Sequence, residues 1–400
     1  MRPAARGLLL LFAFAVPWEY SLDLGPPFGN VARISGLLLL IAAVPAVLQA
    51  GGMRRPGAVQ GFALALFLWM CCTYLWTSEP ATTLERLPGY FQEMMVVWLV
   101  AELADDLYDL RALLRAWLAG TWVLAGLTIA NFIVLAHASA AGRIRFAAVG
   151  QDPNDAARFL NLGLPVAALL IDWEPRWAGK LFALAYLPAA ATAVLLSGSR
   201  GGVVEGFAAL VGCAWVLSYH HKRVAMAGLY ALPVVAAVLW FVIPAGTFDR
   251  IATLADRAQV DDLNQRVNIW GAGWRAFCEA PFLGHGAGTF VSAAGLAPID
   301  TAHNTALSIV VEEGIVGLML AAGVLAAAAC AALAARGALR VALGTLLVVW
   351  SMASMVGTTG ESRMTWLLFA VVALAGRVAA TAPAEAHPYA PAIAAPAEAI

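Results

Sequence analysis

Apolar stretches recur along the whole chain, with clusters of glycine, proline and charge between them. They fall at 7–18, 31–50, 57–76, 88–104, 113–136, 154–171, 178–196, 201–219, 222–244, 303–334, 340–357 and 363–380. Most gaps are short, and such punctuation is how breaks between helices read. Runs of roughly 17 to 25 apolar residues suffice to cross the ~30 Å hydrocarbon core of a bilayer as helices. Helix is required there because lipid offers no partner to an unpaired backbone group. Gly7 to Trp18 would rise only ~18 Å, so this first element is expected to be short, to thin the bilayer or to re-enter it.

One long polar interruption, Ala245 to Glu313, breaks this rhythm, and its loop portion, 245–302, separates the ninth and tenth apolar stretches. Structureless loops beyond about 15 residues are uncommon in compact domains and often functional, so a folded cap is expected. Within it, Asn264 to Arg275 places Val267, Trp270 and Trp274 at helical spacing. That predicts an amphipathic helix on the membrane surface, with Arg266 at its start and the tryptophans as interfacial anchors. Thr381 to Ile400 is rich in alanine and proline and is expected to be a disordered tail. The plan is therefore one polytopic unit over 1–380, including the loop, and a tail over 381–400.

Composition sharpens this into a membrane protein. The chain is 62% hydrophobic and 12% charged, with mean hydropathy +0.79, against roughly 25% charged residues in soluble proteins. The expected fold class is an all-α integral membrane protein of about 12 transmembrane helices. A net charge of −1 with dispersed arginines gives no ground for nucleic acid as a partner; membrane lipids are the expected surroundings. Four of the five cysteines lie in apolar runs and Cys278 lies in the long loop, so neither a disulfide nor a metal site is expected. No small-residue cleavage site precedes Pro17-Trp18-Glu19, so a cleavable leader is not expected. No repeat suggests the matched halves of a secondary transporter.

Charge also sets an orientation. With a cytoplasmic amino terminus, one side collects Arg2, Arg6, Arg54, Arg55, Arg111, Arg115, Arg176, Lys180, Lys222, Arg223, Arg336, Arg340 and Arg377, both lysines among them. The long loop then lies outside, in the periplasm of a cell with two membranes. Glu102 to Arg115 becomes a cytoplasmic connection whose aspartates read as a solvated helix face. An anomaly remains, because Arg33, Arg86, Arg143, Arg145, Arg158, Arg200 and Arg363 map to the outer side, against the bias. Two readings stand for them. They bind an anion, since guanidinium stays charged and matches phosphate oxygens, or they snorkel and pair with outer carboxylates.

Several short motifs sharpen the first reading. Ser197-Gly198-Ser199-Arg200-Gly-Gly sits in a tight outer turn and would leave Arg200 at the amino end of a helix, where unsatisfied N–H groups favour an anion. Gln151-Asp152-Pro153-Asn154-Asp155 opens another span. Capping by Asp152 explains most of it, leaving Asn154 and Arg158 as secondary candidates beside Arg143 and Arg145. Arg266 is the best second anion ligand. His303-Asn304 stands at the mouth of a span carrying Glu312 and Glu313, and a neutral imidazole there suits a general base. Glu313 would orient it or pair with an arginine. Glu361-Ser362-Arg363 either completes the charged site or forms a local surface ion pair. In Gly284-His285-Gly-Ala-Gly288 a turn is the simpler reading, with His285 a minor acid–base candidate.

At these residues the chain resembles the O-antigen ligase/O-antigen polymerase family of bacterial membrane glycosyltransferases. The similarity rests on Ser197-Gly-Ser-Arg200-Gly, on Arg266 with Trp270 and Pro281-Phe-Leu-Gly-His-Gly-Ala-Gly, and on His303-Asn304 followed by Glu313-Gly-Ile-Val-Gly317. Asp152-Pro-Asn154 and Val16-Pro-Trp18-Glu19 are also similar to members. The resemblance implies a GT-C-like helical fold in the bacterial inner membrane. It also implies a metal-independent reaction without cofactor at the periplasmic face, and a polyprenyl-diphosphate-linked glycan donor. The acceptor would be a sugar of the lipid A core in the ligase branch, another lipid-linked repeat in the polymerase branch, or a protein hydroxyl in related members. Arg200 and Arg266 would hold the diphosphate and His303 would activate the acceptor, with Ser199, Asn304, Glu313, Asn154 and Arg363 in support. A flippase for lipid-linked sugars or an anion transporter is the alternative from another class.

Overall fold

The computed structural model describes residues 2–25, 28–138, 145–228, 261–298 and 300–381. Those residues are helical almost throughout. The elements are α1 (Arg2–Ala15), a 3₁₀ turn (Val16–Ser21), α2 (Val31–Gln49), α3 (Ala58–Thr73), α4 (Pro80–Leu103), α5 (Leu107–Ala138), α6 (Pro153–Trp173), α7 (Trp177–Leu196) and α8 (Arg200–Ser218). After the undescribed stretch 229–260 come α9 (Asp261–Glu279), α10 (Phe290–Ala293), α11 (Thr305–Ala334), α12 (Gly337–Val356) and α13 (Arg363–Thr381). Eight helices among the described residues, α2, α5 to α8 and α11 to α13, are long and apolar enough to cross a membrane, and α3 is apolar but shorter. The chain is a multi-pass helical membrane protein.

Several boundaries differ from expectation for local reasons. The first helix starts at Arg2 and runs to Ala15, and only the last residues of the expected element, from Val16, form a 3₁₀ turn that is kinked at Trp18. The fourth starts at Pro80, because proline suits the first helical turn. Most of the ninth expected span, 222–244, lies outside the described residues, as do the tail 382–400, Arg143 and the beginning of the long loop.

The core forms around α6, which is buried along its whole length between α5, α7, α8 and α12. Two polar contacts tie it to its neighbours: Asn161 Nδ2 donates to Gly202 O at 2.7 Å, and Tyr186 OH donates to Leu160 O at 2.8 Å. Such bonds hold helices together where burial in lipid alone gives no drive to associate.

Charges gather at the two ends. At one end Arg6 pairs with Asp109 at 3.0 Å and with Asp105 at 3.3 Å, Arg54 pairs with Asp105, and Arg377 donates to the carbonyls of Ala101 and Ala104. The connection between α4 and α5 is therefore an ion-paired knot with the amino terminus, and the expectation of a simply solvated acidic face is corrected. At the other end Glu19, fully buried, receives Arg363 at 2.6 Å, and Arg86 meets Glu361 at 3.4 Å. Burial raises the Glu19 carboxyl above the ordinary carboxylate range against the pull of Arg363. Glu361 and Arg363 thus form long-range pairs with other elements, and the expected local pair between them is absent.

Candidate functional site

The turn between α7 and α8 is built as the sequence suggests for an anion-binding helix end. Ser199 caps α8, its Oγ accepting from Gly202 N at 3.1 Å, so that Arg200 becomes the first helical residue. The same hydroxyl donates to Asn154 Oδ1 at 3.0 Å, and Asp152 caps α6 beside it. Arg145 locks the two ends together: its Nε donates to Ser197 O at 3.2 Å and its Nη2 to Asn154 Oδ1 at 2.7 Å. Arg145 was expected to grip the diphosphate. Its donors are instead directed at the turn, which makes it, with Asn154 and Ser199, part of the frame that presents Arg200.

The carboxyl end of α12, Met355 to Gly357, is where the separate motifs meet. A Cβ on Gly201 would lie 3.4 Å from the Val356 side chain. Arg266 Nη1 donates to Val356 O at 3.4 Å, Asn304 Nδ2 to Met355 O at 3.4 Å, and Thr305 Oγ1 to Gly357 O at 2.8 Å. Gly357 has a side-chain-free face against the Arg158 guanidinium, whose Nη2 would sit 2.1 Å from any Cβ there. Arg158 in turn pairs with Asp155 at 2.8 Å. The start of α8, Arg266, the His303-Asn304 pair and the start of α6 therefore surround one helix end.

His303 is the one non-glycine residue with positive φ, at 48°, among the described residues. A side chain held in that region costs of order 1–3 kcal/mol and persists where surrounding structure over-determines it, often at functional sites. Asn304 supplies that constraint by capping α11 through Leu307 N at 2.9 Å. The imidazole lies 3.3 Å from Thr301 Oγ1 and close enough to Asp155 to act on its charge. Asp155 read as part of a capping motif in the sequence. The structure makes it a carboxylate paired with Arg158 and within electrostatic range of His303.

The loop and the two glutamates form a second unit beside the first. Gly314 breaks α11 with φ 68°, which frees carbonyls that a continuous helix would use. The backbone N–H groups of His285 and Gly286 donate to the carbonyls of Val311 and Glu312 at 2.9 and 2.8 Å, and Ile315 N donates to Pro281 O at 2.9 Å. The crossing is so close that a Cβ on Gly284 would meet Glu312 O at 2.3 Å, and one on Gly314 would meet Phe282 O at 2.3 Å. The Glu312 carboxylate accepts from Gly288 N at 2.7 Å and Phe290 N at 3.3 Å. Trp69 and Trp76 of the α3 end latch the crossing by donating to Glu313 O and Leu283 O. Glu312 is thus an anchor for the loop, and the Glu313 carboxyl is buried in a cavity of about 60 Å³ shared with Glu361 and Tyr90. Both carboxylates thus lie within the loop crossing and its cavity. His285 binds Ala276 O at 2.8 Å and holds the loop. Gly314→Ala is expected to cost about 1–3 kcal/mol in docking the loop, raising limited proteolysis at exposed Phe282 about five- to a hundredfold, with the bundle's thermal unfolding little changed. An unchanged cleavage rate would show that the crossing is not needed to seat the loop.

The amphipathic helix is present as α9, with two corrections. Arg266 is its sixth residue and not its first, so Arg266 can act only through its guanidinium. The buried face is Ile269, Ala272 and Ala276, packed with Phe290 and Val311. Trp270 turns inward and donates to Ala302 O at 3.0 Å, whereas Val267 and Trp274 are exposed. Arg363 is paired instead with the buried Glu19.

Residues 184–322 match the family model described as O-antigen ligase. That segment runs from α7 to α11 and contains Arg200, Arg266, His303 and Glu313. No curated protein matches the chain.

Proposed function

We propose that this protein is a glycosyltransferase that moves a glycan from a polyprenyl-diphosphate donor to an acceptor hydroxyl, in the manner of an O-antigen ligase. The convergence of Arg266, the start of α8 next to Arg200, and Asn304 next to His303 around Met355 to Gly357 supports this reading. With the twelve spans expected from the sequence and both termini in the cytoplasm, this site would face the periplasm.

Arg200, the first N–H groups of α8 and Arg266 would bind the diphosphate. Their charge is preorganised where negative charge grows on the leaving phosphate oxygen as the glycosidic bond breaks. His303 takes the proton from the acceptor hydroxyl, whose oxygen attacks the anomeric carbon from the face opposite the diphosphate, with inversion. Polyprenyl diphosphate departs, and the protein supplies the charge stabilisation without a metal. Asp155, braced by Arg158, stabilises the imidazolium that forms, as the third group of a base relay does. The lipid A core is the acceptor in the ligase reading, and a lipid-linked repeat takes that place in a polymerase.

Turnover of a lipid-linked glycan by purified protein in detergent tests the reading. Release of polyprenyl diphosphate that persists with chelator is expected. An intact donor would point to a flippase or an anion transporter, and a chelator-sensitive release would remove the metal-free mechanism.

A further inference from the structure

A second cavity lies at the opposite end of the bundle, where the proposed reaction has no use for it. Its volume is about 270 Å³, and it is lined by Ala327 and Ala331 of α11, Ala370 and Ala373 of α13, and the two cations Arg55 and Arg377. An apolar cavity of about 150 Å³ takes up benzene, so this one has room for a glycerol-sized group and the first methylenes of a chain. Alanine on both helices keeps the slot open, since any larger side chain would fill it.

The charge around the slot is lopsided. Arg54 lies within electrostatic range of Arg377, Arg2 and Arg6. Asp105 and Asp109 are taken by Arg6 and Arg54. Glu102 stands near Arg377, yet its Oε1 accepts from Arg54 N at 2.8 Å. Arg377 directs its guanidinium to the backbone carbonyls of Ala101 and Ala104 at 3.1 and 2.5 Å, which leaves its charge without a bonded carboxylate. Arg55 is exposed and makes no hydrogen bond or ion pair with the described residues.

We propose that this cleft binds an anionic phospholipid of the adjacent leaflet, its phosphate between Arg55 and Arg377 and an acyl chain against the alanines. Charge complementarity selects an anionic over a zwitterionic lipid. The apolar walls at the helix ends, at headgroup depth, select a lipid over a soluble anion, as in other basic pockets between membrane helices. By the distribution of arginine and lysine this is the cytoplasmic leaflet, whose surface is the anionic one. The inference is independent of the reaction proposed at the other end.

The test is lipid retention by the delipidated full-length protein in neutral detergent, read by native mass spectrometry. Phosphatidylglycerol should be retained at least about fivefold better than phosphatidylcholine, the size expected for one basic side chain at a membrane surface. Arg55→Glu, at an exposed residue without partners, should abolish that preference without moving the thermal unfolding midpoint. Ala327→Leu should weaken retention of both lipids by narrowing the slot. Equal retention of the two lipids by the wild type, an unaltered preference in Arg55→Glu, or displacement of the lipid by equimolar glycerol 3-phosphate would each overturn the proposal.

Discussion

His303→Asn is expected to lower glycan transfer by about 10²–10⁴-fold, the usual contribution of a positioned general base. Asparagine is the informative substitution because His303 sits at φ 48°, a region that Asn tolerates far better than Ala. The backbone before the α11 cap then keeps its shape while the basic nitrogen is lost. Donor binding should survive, so the defect should appear in kcat and not in the affinity for lipid diphosphate. His303→Gly, which fits the same backbone, should recover part of its rate with added imidazole. Transfer by His303→Asn within a few-fold of wild type would remove His303 from the chemistry. Asp155→Asn should give a smaller loss, of about tenfold, and shift the pH profile of transfer; an unshifted profile would make Asp155 a structural cap alone.

Arg266→Ala is expected to reduce kcat/KM for the donor by about 10²–10³-fold, the usual effect of losing one preorganised charge donor at a developing anion. Among the described residues its side chain makes one long bond, to Val356 O at 3.4 Å, so its removal should cost the fold little. Arg266→Lys should recover only part of the activity, because an ammonium lacks the fork that spans two phosphate oxygens. Arg200→Ala should behave alike, with α8 still capped by Ser199. By contrast, Arg145→Ala should act through the turn: it releases Ser197 O and Asn154 together. Preserved donor turnover in both Arg266→Ala and Arg200→Ala would leave the diphosphate without its proposed ligands.

Much of the architecture could be read from hydrophobic periodicity, because lipid demands internally satisfied backbone and helices alone supply it in single spans. The helix starting at Arg200 was legible from the Ser199 cap and its glycines. The strain at His303 was not legible, since the sequence around it reads as a helix start and nothing more. The hub at Met355 to Gly357 was passed over as an ordinary span end, although Gly357-Thr-Thr-Gly360 marks a place where backbones approach closely. The role of Glu312 was also hidden. A carboxylate near a conspicuous histidine invites a catalytic reading, whereas its actual partners are N–H groups of a loop more than twenty residues earlier in the chain.

Local order along the chain was enough to read that it is built of many apolar helices and that Asp152 caps the one that opens at Pro153. Those properties depend on neighbours within a turn or two. Which acceptor each arginine meets depends on partners brought together from distant segments. Arg363 is taken by Glu19 and Arg145 donates to Ser197 and Asn154, while Arg266 donates to Val356 O beside the start of α8. Helix packing makes that allocation, because a guanidinium binds whatever acceptor the fold carries to it, and chain distance says nothing about which acceptor that will be.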